Sequence, residues 1–138
     1  MVSDIIKLIE EGNIEEVLKK VEEIKEDAKL EIIALTLIEK GYYEEAVKVA
    51  ERISSPGLRD EVLRKVAIKY IDNGNIEKAI MLSEKIRTET DLEKIAKKLI
   101  EIGKYREALR VAEKIRSRAI KEDVLISIIN ALLCELEK

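Results

Sequence analysis

Carboxylates outnumber every other group in this 138-residue chain that could do chemistry, and several stand in adjacent pairs: Glu15-Glu16, Glu22-Glu23 and Glu44-Glu45. Two carboxylates can share acid–base work when a common cleft raises one pKa and leaves the other low. Here lysines interleave with them at i, i+4, as in Glu15 with Lys19 and Glu44 with Lys48. That is the pattern of an ion-paired, solvated helix face. Histidine is absent, which excludes imidazole bases, Ser-His-Asp triads and imidazole metal ligands. Cys134 is the only cysteine, so there is no internal disulfide framework and no zinc ligand set. A small hydrophobe near the end of the last helix is the plainer reading of it. No glycine-rich phosphate loop is present. The chain therefore reads as a non-enzyme, with no catalytic residue, no metal and no cofactor.

One basic cluster stands out. Arg106, Arg110 and Lys114 share a helical face, with Arg116, Arg118 and Lys121 beyond. Such a run is either a solvated face or an anion patch for an acidic or phosphorylated ligand. Reading RNA would take base-stacking groups and positive charge on one face. Four tyrosines and a net charge of −3 do not supply that, so no nucleic-acid partner is expected.

The elements that must position these groups are written as a repeat. Gly12-Asn13-Ile14-Glu15-Glu16-Val17-Leu18 returns as Gly41-Tyr42-Tyr43-Glu44-Glu45-Ala46-Val47, as Gly74-Asn75-Ile76-Glu77-Lys78-Ala79-Ile80, and as Gly103-Lys104-Tyr105-Arg106-Glu107-Ala108-Leu109. Each copy closes with Glu and Ile ten and twelve residues after its glycine: Glu22 and Ile24, Glu51 and Ile53, Glu84 and Ile86, Glu113 and Ile115. A period near 30 residues means stacked helical hairpins.

Counting back from each glycine, apolar residues recur at three, four and seven positions, which is one face of a helix. Counting forward gives a second amphipathic helix. Each unit is thus helix A, a turn at the glycine, then helix B. The glycine suits the left-handed position that ends helix A. Small residues such as Ala34 and Ala46 suit a close crossing of the two helices. The predicted helices are 3–11, 13–24, 27–40, 42–53, 56–72, 75–86, 89–102, 104–115 and 118–136. Ser55 suits an N-cap and Pro56 a first turn. Ser55, Leu58, Asp60 and Leu63 recur 62 residues later as Ser117, Ile120, Glu122 and Leu125. Short and long joints therefore alternate, and the larger period is a pair of hairpins.

Composition supports a packed helical stack: 46% of residues are hydrophobic and 40% charged, with one proline, which argues against disorder. The weight of Glu, Lys and Ile, with glutamine and tryptophan absent, resembles hyperthermophile proteins, and a designed repeat protein could look similar. No signal peptide is legible at the start, and the longest apolar stretch, Val124 to Cys134, is too short to span a bilayer. The expectation is a cytoplasmic protein with no membrane partner.

With these columns in hand, the chain resembles the tetratricopeptide (TPR) repeat family. Leu63, Val66, Ala67, Tyr70, Gly74, Ile76 and Ala79 follow the order of large and small residues in a TPR hairpin, and so do Leu92, Ile95, Ala96, Leu99, Gly103, Tyr105 and Ala108. The glycines here stand 29, 33 and 29 residues apart, shorter than the family's 34-residue repeat, and the family's first-column Trp is Leu. The resemblance implies an all-α fold, a right-handed α-α superhelix (TPR-like solenoid) of about nine antiparallel helices. Residues 1–138 would form a single repeat domain of four hairpins and an unpaired C-terminal helix.

The resemblance also implies a function. In TPR hairpins, the helix-A residues three and six before the glycine face an inner groove. Those positions here are Ile6 and Ile9, Leu35 and Ile38, Ile68 and Ile71, then Lys97 and Ile100, with Glu31 and Arg64 one turn earlier on the same face. They make either an aliphatic groove for a protein or peptide segment or, in a tighter stack, core between neighbours. The peptide-carboxylate clamp of TPR co-chaperones needs Lys and Asn on inner positions that here carry Val2, Ile6, Glu31 and Leu35, so that activity is not expected. The last helix is apolar nearly all round, a property of buried helices. Ile126, Leu133 and Leu136 are accordingly candidates for self-association. The reading is a non-catalytic protein–protein interaction module or scaffold, able to form a homo-oligomer. The alternative is an accessory or regulatory domain docking an acidic or phosphorylated ligand at Arg106, Arg110 and Lys114.

Overall fold

In the computed structural model, which describes all residues 1–138, every glycine of the repeated phrase ends a helix with a positive φ, from 79° to 88°. A side chain at such a φ brings Cβ against the carbonyl oxygen, so glycine is the residue that fits. At Gly41 the closure is complete. Its N–H donates to the Ile38 carbonyl at 3.0 Å, and the Tyr42 N–H donates to the Leu37 carbonyl at 2.8 Å. This pair of bonds is the Schellman arrangement, which satisfies carbonyls that the helix end would otherwise orphan.

The fold is all-α. Nine helices run in order: α1 (Val2–Glu10), α2 (Ile14–Val21), α3 (Asp27–Glu39), α4 (Tyr43–Ala50), α5 (Pro56–Asp72), α6 (Ile76–Ser83), α7 (Glu89–Glu101), α8 (Tyr105–Ala112) and α9 (Arg118–Leu136). The B helices α2, α4, α6 and α8 are each about one turn shorter than the periodicity predicts. The cause is visible at their ends. After α4, Arg52 and Ile53 bond back three residues, to Val49 and Ala50, at 3.0 Å each. The tighter winding turns the closing isoleucine inward, so Ile24, Ile53, Ile86 and Ile115 are all buried.

The chain divides into two compact units, Met1–Val66 and Ala67–Lys138, with the boundary inside α5. In the first unit α1 packs on α2 and α3, and α3 packs on α4. Ala34 and Ala46, small and fully buried, sit on α3 and α4 as a close crossing requires. In the second unit α7 packs on α8 and α9, and α8 also meets α6 and α9. Ala96 and Ala108 repeat the small pair there.

The 62-residue period has a hydrogen-bonded counterpart. Asp27, the first residue of α3, accepts the backbone N–H of Ser54 at 2.9 Å and of Ser55 at 3.0 Å. Sixty-two positions on, Glu89 at the start of α7 accepts the N–H of Ser117. Ser55 and Ser117 then cap the next helices, accepting from Leu58 and Ile120 at 3.4 Å. Each carboxylate thereby serves two ends: its charge favours its own helix N-terminus, and it fixes the chain entering the following long helix.

Candidate interaction surfaces

Acidic pairs fall where helix electrostatics place them. Glu15 and Glu16 open α2, and Glu44 and Glu45 open α4. There they complement the positive end of the helix dipole. Glu22, Glu51, Glu84 and Glu113, the recurring closing glutamates, are the C-cap residues of the four B helices. No cluster of three or more Cys, Asp and Glu side chains is placed to hold a metal ion.

The predicted groove residues separate into two depths. Ile9, Ile38 and Ile71, three before their glycines, are no more than 6% exposed. They are core residues and offer no surface to a partner. In the first unit Ile6, Glu31, Leu35 and Arg64 are half-buried, and in the second Ile68 and Ile100 are half-buried. Lys97 is exposed and held by two carboxylates, Asp123 of α9 at 2.8 Å and Glu93 at 3.3 Å. The hydrogen bond that Lys97 donates to Asp123 does most to hold its ammonium above the ordinary lysine range, and the same bond holds the Asp123 carboxyl below its own. What remains open of the predicted groove positions is thus, within each unit taken by itself, a few aliphatic flanks, with a paired lysine in the second.

The residues of the basic cluster have differing partners. Arg106 is exposed. Arg110 is paired with Glu77 at 3.0 Å. Lys114 turns away into a cleft of about 420 Å³, lined by Glu84, Ile86, Arg87, Glu89, Lys114 and Arg116. Its ammonium lies 3.4 Å from the Ser83 hydroxyl. Burial is the main reason its pKa is lowered, the Glu84 carboxylate opposes that, and Arg110 adds to it. Three cations expected on one face thus have three different surroundings.

The last helix carries more exposed large aliphatics than any other helix. Val124 and Ile128 are buried against the second unit. On another side of α9, Ile126, Ile129, Leu132, Leu133 and Leu136 are exposed, from 42% at Leu132 to 82% at Leu136. At 100° per residue they fall within an arc of about 120°, which also contains half-buried Leu125. Single exposed aliphatics are ordinary on soluble proteins, whereas a contiguous stripe marks a contact surface. Other large exposed aliphatics, such as Ile32 and Met81, stand on separate helices.

Sequence reasoning named Ile126, Leu133 and Leu136 here and left out Ile129 and Leu132 as contact residues. The signal was present, since Leu125, Ile129, Leu132 and Leu136 follow the 4-3-4 spacing of a helix-pairing seam. Tyr105 fastens this end of α9. Its hydroxyl donates to Glu135 at 2.9 Å, the chief reason its pKa is raised.

The chain is 80% identical over 138 residues to the uncharacterized protein MJ0659 of Methanocaldococcus jannaschii, covering the whole of both sequences. The chain belongs to the family of that archaeal protein. No protein-family model matches the chain, and no solved structure does. No helix is long and apolar enough to cross a membrane.

Proposed function

We propose that this chain is a non-catalytic protein–protein interaction module whose main contact surface is the aliphatic face of α9. One observation carries the reading: five large aliphatics exposed side by side on one helix. An aliphatic stripe of this width is what a helix presents to another helix. The residue inventory, without histidine and with a single exposed cysteine, supports a role in binding over one in catalysis. Ile6 and Leu35 in the first unit, and separately Ile68 and Ile100 in the second, are half-buried and secondary to it. Right-handed stacking of the hairpins as in TPR proteins, and a cytoplasmic setting, belong to the same reading.

The test is comparative. The chain and an Ile129→Glu/Leu133→Glu variant are each immobilised, and the polypeptides they retain are compared, the chain itself included. The reading expects retention by the first and loss in the second. Equal retention by both would contradict it.

A further inference from the structure

We infer that the occupant of the α9 face is a second copy of this chain, its α9 laid antiparallel across the first. The inference rests on the reading of α9 as a contact surface and names the partner.

The repeat itself shows what that face is for and why an ordinary hairpin partner does not suit it. Counted from its glycine, α7 carries Ala96, Leu99 and Ile100 seven, four and three residues back. Ala96 and Leu99 are fully buried, on the helix that packs against α8. In α9 the matching positions hold Ile129, Leu132 and Leu133, and Leu136 stands in the place of the glycine. The face that α8 covers on α7 is open on α9. Its character has also changed. A small residue at the crossing lets a B helix approach closely, whereas isoleucine there calls for a wider interaxial distance, near the upper end of about 8–10 Å, and for bulky side chains opposite. The turn glycine that would send the chain back over this face is absent.

What fits is a helix with large aliphatics at alternating spacings of three and four, and α9 is such a helix. In an antiparallel pair with its two-fold axis between Ile129 and Leu133, Ile126 meets Leu136 of the second copy and Ile129 meets Leu133. The contact is the same patch twice, as closed two-fold dimers require. The stretch Val124–Cys134 carries no charge, so the pairing buries none. Beyond it the charges are mixed at both ends, Arg118, Lys121, Glu122 and Asp123 at one and Glu135, Glu137 and Lys138 at the other. Parallel packing would set each of these charges against its own copy, which antiparallel packing avoids. The five side chains expose on the order of 500 Å² per copy, so a pair covers about 1,000 Å², the lower bound for a specific interface.

The deciding experiment measures molar mass by light scattering during size exclusion for the 138-residue chain and for the Ile129→Glu/Leu133→Glu variant, with binding of an environment-sensitive apolar dye read on the same samples. Both substitutions lie on the surface, so the variant should keep its helical circular dichroism. The expected result is a mass twice the 15.8 kDa of one chain at high micromolar concentration, falling to one chain in the variant. A dimer that persists in the variant overturns the inference, because another surface then makes it. A monomer at all concentrations also overturns it. If that monomer binds the dye and the variant does not, α9 remains a docking face for a different partner. If neither binds it, the reading of α9 as a contact surface fails as well.

Discussion

The guanidinium of Arg52 donates to the carbonyl oxygen of Glu22 at 2.9 Å, closing the end of one B helix with a side chain from the next. The same group reaches the Ile24 carbonyl at 3.4 Å. Lys114 stands 62 residues later, where the equivalent carbonyls belong to Glu84 and Ile86. Its ammonium instead lies 3.4 Å from the Ser83 hydroxyl, and the cleft beside it stays open. Lys114→Arg should rebuild the bond pair seen in the first unit. Charge-assisted bonds at a half-exposed site predict a gain of about 0.5–1.5 kcal/mol in urea unfolding. Because burial lowers the Lys114 pKa, the folded state binds this proton less tightly than the unfolded state. Stability therefore rises as pH climbs through the folded pKa toward the ordinary lysine value. Arginine stays charged, so the variant should lose that alkaline rise.

Glycine substitutions should split by backbone conformation. Gly41 sits at φ 88° with open space around its Cβ direction. Gly41→Ala meets no clash, and its backbone strain alone should cost about 1–2 kcal/mol. Gly57 lies in the first turn of α5 with ordinary φ and nothing within 4 Å. Gly57→Ala should stabilise by about 0.4–1 kcal/mol. Thermal unfolding of both variants checks the contrast, and equal signs would refute the assignment of the repeat glycines to turn geometry.

Charge placed three residues before a repeat glycine should unfold the chain, whereas charge on α9 should not. Ile38 and Ile71 are core residues, and burying an unpaired carboxylate there should cost about 3–5 kcal/mol. Ile129→Glu, exposed in the single chain, should change stability by less than about 0.5 kcal/mol at concentrations too dilute for two copies to pair. Urea midpoints of Ile38→Glu, Ile71→Glu and Ile129→Glu compare the three directly.

The Lys97–Asp123 bridge fixes α9 to α7 and gives each partner a pH signature. The folded Asp123 pKa is lowered, so its contribution to stability is present above the ordinary aspartate value of about 3.9 and is lost as pH falls through the folded value. The folded Lys97 pKa is raised, so its contribution is present below the ordinary lysine value of about 10.4 and is lost as pH rises through the folded value. In Asp123→Asn, NMR titration of the Lys97 side chain should show its pKa moving back toward the ordinary range, with Glu93 preserving part of the elevation.

Much of this architecture is legible in the residues. Gly41 and its fellows could be assigned in advance because a positive φ has one common solution among the twenty side chains. Ala34 and Ala46 announced a close crossing for a similar reason. Ile38 and Ile71 could not be placed, since an aliphatic residue suits a groove and a core equally and only the neighbouring helices decide. The bonds that Ser54 and Ser55 donate to Asp27 left no local pattern, because they join residues nearly a full repeat apart. The surroundings of the basic cluster were not legible, because a helical face fixes where side chains start, while Glu77 and the Ser83 hydroxyl meet Arg110 and Lys114.

The most direct measurement of the α9 contact uses the chain's one cysteine. Cys134 is exposed and lies beside the aliphatic stripe, so a nitroxide attached there reports on a second copy without any engineered site. Antiparallel pairing about Ile129 and Leu133 puts the two Cys134 backbones within about 20 Å, given the rise of α-helices and their interaxial spacing. Dipolar electron paramagnetic resonance should show that short intermolecular distance in the native sequence at high micromolar concentration. It should vanish in the Ile129→Glu/Leu133→Glu background. Absence of dipolar coupling in the native sequence, or its survival in the variant, would contradict a dimer built on this face of α9.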